Sequence, residues 1–120
     1  MYEVIFYRDR SGREPILEYI QELTQKSDKS SRIKANKVLD HIRYLKKVGM
    51  QAREPYVKHL GNGIFELRPI RDRILYAAWD GRTFILLHHF MKKTQKTPLR
   101  EIEQARKNLL DYKERSKRSE

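Results

Sequence analysis

The sequence predicts an α+β domain in which helices cover an antiparallel sheet, with the element order β-α-α-β-β-β-α. Three observations support this prediction. Apolar residues recur at spacings of three and four in the first half of the chain, which is the helical period. They form strand-like runs between residues 64 and 91, and the pair Asp80-Gly81 between two of these runs is a strong signal for a tight hairpin. Separate helical and strand segments are typical of the α+β class.

The N-terminal segment predicts a strand followed by a helix. Tyr2 to Tyr7 is aromatic and β-branched, as in a strand with one buried face. Arg8 to Arg13 is expected to form a turn around Gly12. Pro15 suits the first helical position, because the N–H that proline lacks is unpaired there in any helix, and the helix is expected to end near Leu23.

A second amphipathic helix is predicted after a polar turn. The turn covers Thr24 to Ser31 and is rich in Ser and Lys. The helix is expected to end at Gly49, because glycine readily adopts the left-handed conformation that closes helices. The two helices predict a hairpin with a Lys- and Arg-rich outer face, and the buried stripe of the second helix comprises Ala35, Val38, Leu39, Ile42 and Leu45.

Three apolar runs after Tyr56 predict a meander of three strands. They are Ile64 to Pro69, Arg73 to Trp79 and Phe84 to Met91. Asp80-Gly81 separates the second run from the third, so these two strands are expected to pair antiparallel.

The last predicted element is a helix that begins at Thr97-Pro98. Thr97 suits the N-cap and Pro98 the first helical position. A single domain is therefore expected over residues 1–112, and the basic tail, residues 113–120, is expected to fray. The buried stripe of this helix comprises Leu99, Ile102, Ala105, Leu109 and Tyr112.

Charge is the strongest compositional signal. The 120 residues include 27 Lys and Arg against 16 Asp and Glu, which gives a formal net charge of +11. A basic domain of this size attracts polyanions and gains affinity from the release of counterions. A surface that serves solubility alone needs a smaller excess of one sign. The composition therefore predicts a nucleic acid as the partner.

Several classes of site are absent from the sequence. There is no cysteine, which removes disulfides, thiolate nucleophiles and thiolate metal sites. The four histidines, at positions 41, 59, 88 and 89, form no metal-binding pattern, so neither a metal nor another cofactor is expected. No apolar run reaches the roughly 18 residues of a membrane span, and no secretory leader is visible. A cytoplasmic protein without membrane contact is therefore expected.

Charged residues in the meander form the candidate site. Cleavage of RNA by its own 2′-hydroxyl needs a base, an acid and cations around the phosphorane. Arginine suits the cation role because one guanidinium can bind two phosphate oxygens. If the strand ends meet at one edge of the sheet, these groups converge. The predicted catalytic residues are Glu66, Arg68, Arg73, His89, Lys92 and Lys93, and the predicted RNA contacts are Lys58, His59, Arg71, Phe90 and Lys96.

The sequence leaves alternatives for several of these residues. The group that transfers the proton is His89, Glu66 or a lysine of the pair Lys92-Lys93, with the histidine or a lysine favoured. Glu66 can equally be the salt-bridge partner of a neighbouring arginine, and the two lysines can protect a strand end from aggregation. Because adjacent residues of a strand point to opposite faces, one of His88 and His89 is expected to be a hydrogen-bonded core residue.

Several motifs together resemble the HigB branch of the RelE/ParE toxins, the group also called phage Gp49-like. The resemblance covers residues 2 to about 112, and its middle and last blocks are the specific part. The residues that carry it are Met1–Tyr7, Gly12–Pro15, Lys58–Arg68, Arg73–Tyr76, Leu86–Thr94, Thr97–Pro98 and Glu101–Ile102.

The resemblance implies a RelE-like fold and a toxin of a bacterial toxin–antitoxin pair that cleaves messenger RNA on the ribosome. It assigns phosphate contact to Arg68 and Arg73 and the proton-transfer role to the segment from His89 to Lys93. The implied partner is a helix-turn-helix antitoxin of the HigA type, through which the toxin reaches operator DNA. Two rival interpretations remain: a gyrase-poisoning toxin of the ParE branch, which shares the fold, and an RNA-binding module without catalysis.

Overall fold

A five-stranded sheet with helices on both faces forms the core of the computed structural model, which describes residues 1–118. Helices α1 and α2 form the N-terminal hairpin, a short 3-10 turn (Gly49–Gln51) follows α2, and α3 closes the chain. The α+β architecture predicted from the sequence is confirmed. The strands are β1 (Glu3–Phe6), β2 (Val57–Gly61), β3 (Ile64–Leu67), β4 (Asp72–Ala78) and β5 (Thr83–Met91), and the helices are α1 (Pro15–Gln25), α2 (Lys29–Val48) and α3 (Leu99–Arg118).

The sheet differs from the predicted meander in two respects. Its order is β1-β5-β4-β3-β2, and β2 is an additional edge strand paired antiparallel with β3. The sequence missed β2 because Lys58 and His59 in its centre are exposed, so no alternating apolar pattern marks it. The pairing of β1 with β5 is parallel, whereas the other neighbours are antiparallel as expected. The predicted hairpin at Asp80-Gly81 is confirmed between β4 and β5.

Capping interactions set the ends of the helical hairpin. Pro15 occupies the start of α1 as predicted. The Asp28 carboxylate accepts a hydrogen bond of 2.9 Å from the Ser31 amide, so α2 begins at Lys29 and the predicted turn shortens to residues 26–28. Gly49, with φ of 59°, closes α2 where the sequence placed its end.

Each face of the sheet buries its own apolar cluster. On one face, Ile20 of α1 and Leu45 of α2 pack against Leu67, Ile74 and Leu86. On the other face, α3 contributes Ala105, which packs in a cluster with Ile64, Leu75, Ile85 and Leu87. The alternation of faces along β3, β4 and β5 therefore decides whether a side chain points to the helical hairpin or to α3.

Helix α3 starts one residue later than predicted and continues further. Its first residue is Leu99, and the Thr97 hydroxyl bonds to another residue instead of capping the helix. Residues 113–118, for which the sequence predicted fraying, are helical, and the Arg115 guanidinium lies 5.7 Å from the Tyr7 ring centre. Residues 119 and 120 of the predicted tail lie outside the described part of the chain. Within residues 1–118, no helix has the length and apolar character needed to cross a membrane.

Candidate active site

A basic recess lies on the α3 face of the sheet, between the ends of β3, β4 and β5 and the loop that leads into α3. Its cavity volume is about 10 Å³, far below the roughly 300 Å³ at which small-molecule pockets begin. The recess can therefore receive only one small group of a larger ligand, such as a phosphate of a polymer at its mouth. It is lined by Glu66, Arg68, Arg73, Phe90, Lys92, Lys93, Thr94, Gln95, Lys96, Thr97 and Pro98.

Glu66 is the buried anion at the base of this recess. Glu66 is 1% exposed, and its carboxylate oxygen Oε1 lies 3.5 Å from Arg68 Nε and 3.8 Å from Arg73 Nε. The Thr97 hydroxyl donates a short hydrogen bond of 2.5 Å to the other carboxylate oxygen, Oε2. The salt-bridge alternative considered for Glu66 is thus realised, and one carboxylate orients two guanidinium groups.

Arg73 is the more buried of the two arginines. Its Nη1 donates hydrogen bonds to the carbonyls of Ile70 at 3.0 Å and Asp72 at 2.8 Å. Burial, followed by the neighbouring charge of Arg68, lowers the pKa of Arg73 from its ordinary value, although a guanidinium stays protonated in proteins. Because Nη1 and Nε already face protein oxygens, Nη2 is the nitrogen with which Arg73 can bind a ligand.

Arg68 is more accessible than Arg73. Its side chain is 24% exposed, against 7% for Arg73. Its Nε is buried and has no hydrogen-bond partner within residues 1–118, because Glu66 Oε1 approaches it only as an ion pair. The guanidinium therefore lies beside Glu66, and hydrogen-bonding capacity remains for a ligand.

The loop after β5 brings the lysines to the same place. Lys92 is partly buried, whereas Lys93 and Lys96 are exposed. The Lys92 amide donates to the Arg71 carbonyl at 2.7 Å, and Arg71 Nη2 donates to the Lys92 carbonyl at 3.1 Å, so Lys92 is anchored on both sides of its backbone. Five cationic side chains thus line the recess that contains the Glu66 carboxylate, and such an excess of positive charge favours anions.

Phe90 and Lys58, two predicted RNA contacts, occupy different positions relative to the recess. Phe90 is opposite Arg73 in the sheet, lines the recess and packs against the α3-side cluster. Lys58 is opposite Glu66 on the edge strand, is exposed, and lies outside the residues that line the recess. Phe90 can therefore contact a ligand in the recess, and Lys58 can contact it only at the neighbouring edge of the sheet.

His89, a predicted catalytic residue, does not line the recess. A β-bulge leaves Leu87 without a partner between the pairs Leu75–His88 and Tyr76–Leu86, and one extra residue reverses the faces of the residues that follow. His89 consequently points to the helical hairpin, where its Nε2 lies 2.9 Å from Asp72 Oδ1 and its ring stacks on Tyr19 at 4.0 Å. The expected split of the two histidines is confirmed, since His88 bonds to Glu101 of α3 instead.

Two predicted RNA contacts also lie outside the recess. His59 is on the hairpin face of the edge strand, and its ring stacks on Phe65 with centres 4.6 Å apart. The Arg71 side chain lines a different groove, beside the N-terminal turns of α2, although its carbonyl and its Nη2 both bond to the Lys92 backbone. The placement of both residues follows from strand alternation and from the turn between β3 and β4.

Thr97 lines the recess and bonds to Glu66, whereas the sequence predicted it as the N-cap of the last helix. Its position before Pro98 is typical of an N-cap, and no local pattern reveals a partner 31 residues away. Thr94 and Gln95 line the recess as well, and the sequence gave no specific signal for them. Within residues 1–118, no cluster of three His, Asp or Glu side chains could hold a metal ion, and metal-free chemistry stays a prediction.

The fold and the recess define a small basic α+β protein that can hold a phosphate group in a cluster of cations. The chain belongs to the family described as "Phage derived protein Gp49-like (DUF891)", whose model matches residues 18–110. This family is associated with toxins of the RelE superfamily. The match confirms the Gp49-like resemblance, whereas the assignment to the HigB branch stays a prediction. No curated protein matches the chain.

Proposed function

We propose that this chain is the HigB-type toxin of a toxin–antitoxin pair and a ribosome-dependent endoribonuclease that cuts messenger RNA and stops translation. One observation carries the proposal: Arg68 and Arg73 come from separate strands, Lys92, Lys93 and Lys96 come from a loop, and all five line one recess around Glu66. Such a cluster stabilises the additional negative charge that develops on a phosphodiester during cleavage.

The proposed reaction is an in-line attack by the RNA's own 2′-hydroxyl. A base removes the hydroxyl proton, the 2′-oxygen forms a bond to phosphorus, and the bond from phosphorus to the 5′-oxygen breaks. An acid then protonates the leaving 5′-oxygen. The products are one RNA end with a 2′,3′-cyclic phosphate and one with a 5′-hydroxyl, so no additional reactant is needed.

The geometry supports a different role for each side chain. Arg68 is the accessible phosphate ligand, and the more buried Arg73 adds one nitrogen, Nη2. Glu66 is a positioning residue, because its carboxylate is buried and faces both guanidinium groups. Lys92 is the candidate for proton transfer, since its backbone is held on both sides and its side chain lines the recess. Phe90 offers a ring on which a base can stack.

The proposed partners follow from the family and from charge. A toxin of the RelE superfamily has a cognate antitoxin, here proposed to be a helix-turn-helix protein that also carries the complex to operator DNA. The outer face of the helical hairpin supplies a sequence-independent contact for ribosomal RNA in the cytoplasm. Its exposed cations include Lys26, Lys29, Arg32 and Lys37.

The decisive experiment adds purified protein to messenger RNA with and without ribosomes, and maps new 5′ ends by primer extension. Cuts that require ribosomes and leave 5′-hydroxyl ends are expected from the wild type. Arg68→Ala is expected to abolish them, because it removes the accessible phosphate ligand. Arg43→Ala is the matched control, since this exposed arginine of α2 pairs only with Asp40.

Three results would contradict the proposal. Intact messages together with a DNA-damage response in expressing cells would indicate gyrase poisoning. Ribosome binding without any cleavage would indicate an RNA-binding module. Cleavage that Arg68→Ala and Arg43→Ala reduce equally would locate the reaction outside the recess.

A further inference from the structure

A second groove, separate from the basic recess, is open to solvent. It lies between the N-terminal turns of α2, the β3–β4 turn and the end of β5. Its cavity volume is about 610 Å³, against about 10 Å³ for the basic recess. Its floor is aliphatic: Ile33, Ile70 and Met91 are 44%, 51% and 38% exposed. Three apolar side chains that share one exposed concave surface are typical of an interaction site.

Cations surround this aliphatic floor. Lys29, Lys34 and Arg71 line the same groove, and Lys34 Nζ lies 3.6 Å from the Met91 sulfur, across the floor. None of the residues that line the groove is acidic or aromatic. An occupant must therefore supply apolar side chains for the floor and negative charge for the rim.

The backbone holds Ile70 in this exposed position under strain. Its φ of 56° lies in the left-handed region, which β-branched residues rarely adopt. The hydrogen bond from Arg73 Nη1 to the Ile70 carbonyl fixes the turn. The isoleucine therefore has an unfavourable backbone conformation and an exposed apolar side chain. Such strained residues are concentrated at functional sites, including ligand-binding sites.

We propose that this groove binds an acidic amphipathic segment of a partner protein, with apolar side chains on Ile33, Ile70 and Met91 and carboxylates on Lys29, Lys34 and Arg71. The inference goes beyond the ribonuclease proposal, because docking of a peptide needs no cleavage chemistry. RNA is the poorer fit, since the groove lacks a ring on which a base can stack. A second copy of this chain is also disfavoured, since each copy carries a net charge of +11 and the same cationic rim.

A displayed library of random peptides of about 15 residues, long enough for a helix of roughly 22 Å, tests the proposal. The library is selected on the wild-type protein after depletion on Ile33→Asp, which places a carboxylate on the groove floor. The recovered peptides are expected to be acidic, with apolar residues at helical or strand spacing. Their measured affinity is expected to fall roughly tenfold or more on Ile33→Asp and to weaken with added salt.

Leu110→Asp is the matched control, because Leu110 is an equally exposed apolar residue on α3, outside the groove. It should bind the recovered peptides as the wild type does, and so should Arg68→Ala, which removes the proposed nuclease site but leaves the groove intact. Titration of the peptides should shift the NMR methyl signals of Ile33 and Ile70.

Three outcomes would overturn the inference. The recovered peptides could be basic or uncharged, or could bind Ile33→Asp unchanged. Polyuridylate could displace them and shift the same methyl signals, which would assign the groove to RNA. Sedimentation could show a dimer that Ile33→Asp dissociates, which would assign it to a second copy.

Discussion

The Thr97 hydroxyl donates a hydrogen bond of 2.5 Å to Glu66 Oε2, and this bond joins the loop before α3 to strand β3. Glu66 also faces the two arginines through its other oxygen. The bond therefore links the position of the last helix to the orientation of the cations in the recess.

Replacing Thr97 by valine should separate these two elements. The change keeps the shape of the side chain but removes the donor, which leaves a buried carboxylate oxygen without its partner. The free energy of unfolding is expected to fall by about 1–2 kcal/mol, as measured by urea denaturation. Thr97→Ser retains the hydroxyl and should stay close to the wild type; an equal loss in both variants would show that the hydroxyl contributes nothing.

Glu66→Gln should cost more stability than Thr97→Val. The amide keeps the volume of the carboxylate but removes the charge between Arg68 and Arg73, which leaves two neighbouring guanidinium groups without their anion. Removal of one partner of a buried ion pair costs about 3 kcal/mol. Glu103→Gln on the exposed surface of α3 is the control, and urea denaturation of both variants should show a loss for Glu66→Gln alone.

Loss of Arg68 and loss of Arg73 should have separable effects. Arg68→Ala is expected to lower ribosome-dependent cleavage by roughly 10²–10³-fold and to lower the melting temperature moderately, since it removes one of the two ion pairs of the buried Glu66. Arg73→Ala should lower the melting temperature further, because it also removes the bonds to the Ile70 and Asp72 carbonyls. Calorimetry beside the cleavage assay distinguishes these outcomes. A larger loss of melting temperature in Arg68→Ala than in Arg73→Ala would contradict this assignment.

The anchorage of α3 to the first strand should weaken in acid. The Tyr7 hydroxyl donates to Asp111 Oδ2 at 2.6 Å, and this bond, with those from Arg10 and Arg115, holds the pKa of Asp111 at about 2. A carboxyl whose folded pKa is lowered contributes stability above its unfolded pKa, and this contribution disappears as the pH falls through the folded value. The stability difference between the wild type and Asp111→Asn should therefore shrink from about pH 4 to pH 2.

The same measurement contains its own control. The compared quantity is the difference between the two proteins at each pH, so effects common to both cancel. A difference between the wild type and Asp111→Asn that stays constant down to pH 2 would contradict the assigned contribution of Asp111.

Gly49→Ala should destabilise the end of α2. A Cβ at this position would lie 2.3 Å from the Tyr2 ring, and φ is 59°, where alanine is strained. A loss of about 2 kcal/mol or more is expected in urea denaturation. Gly81→Ala is the matched control, because a Cβ there meets nothing within 4 Å. Equal effects of the two changes would exclude the contact with Tyr2 as the cause.

Periodic segments made most of the fold predictable. The helices were found from apolar residues at spacings of three and four, and the hairpin of β4 and β5 from Asp80-Gly81. Edge strand β2 was not found, because its exposed Lys58 and His59 interrupt the apolar pattern. The parallel pairing of β1 with β5 depends on contacts between residues about 80 positions apart, which local periodicity does not encode.

The sequence predicted which cations lie in the candidate site, but it did not predict that His89 points to the opposite face of the sheet. Alternation along a strand places Glu66 and Arg68 on one face, and the structure brings both to the recess with Arg73 and the lysines. The side to which His89 points depends on a single unpaired residue, Leu87, and nothing in the sequence marks this bulge. A pattern of period two is reversed by one such insertion.

The wall of the recess that Thr97 and Pro98 provide is the last part of the site to be made during synthesis. All five strands and both helices of the hairpin are made before these two residues. A nascent chain that has released only the sheet and the hairpin therefore lacks one side of the recess and the hydroxyl that donates to the buried carboxylate. The lining of the proposed cutting centre is consequently complete once residue 98 has been added, before the last helix is made.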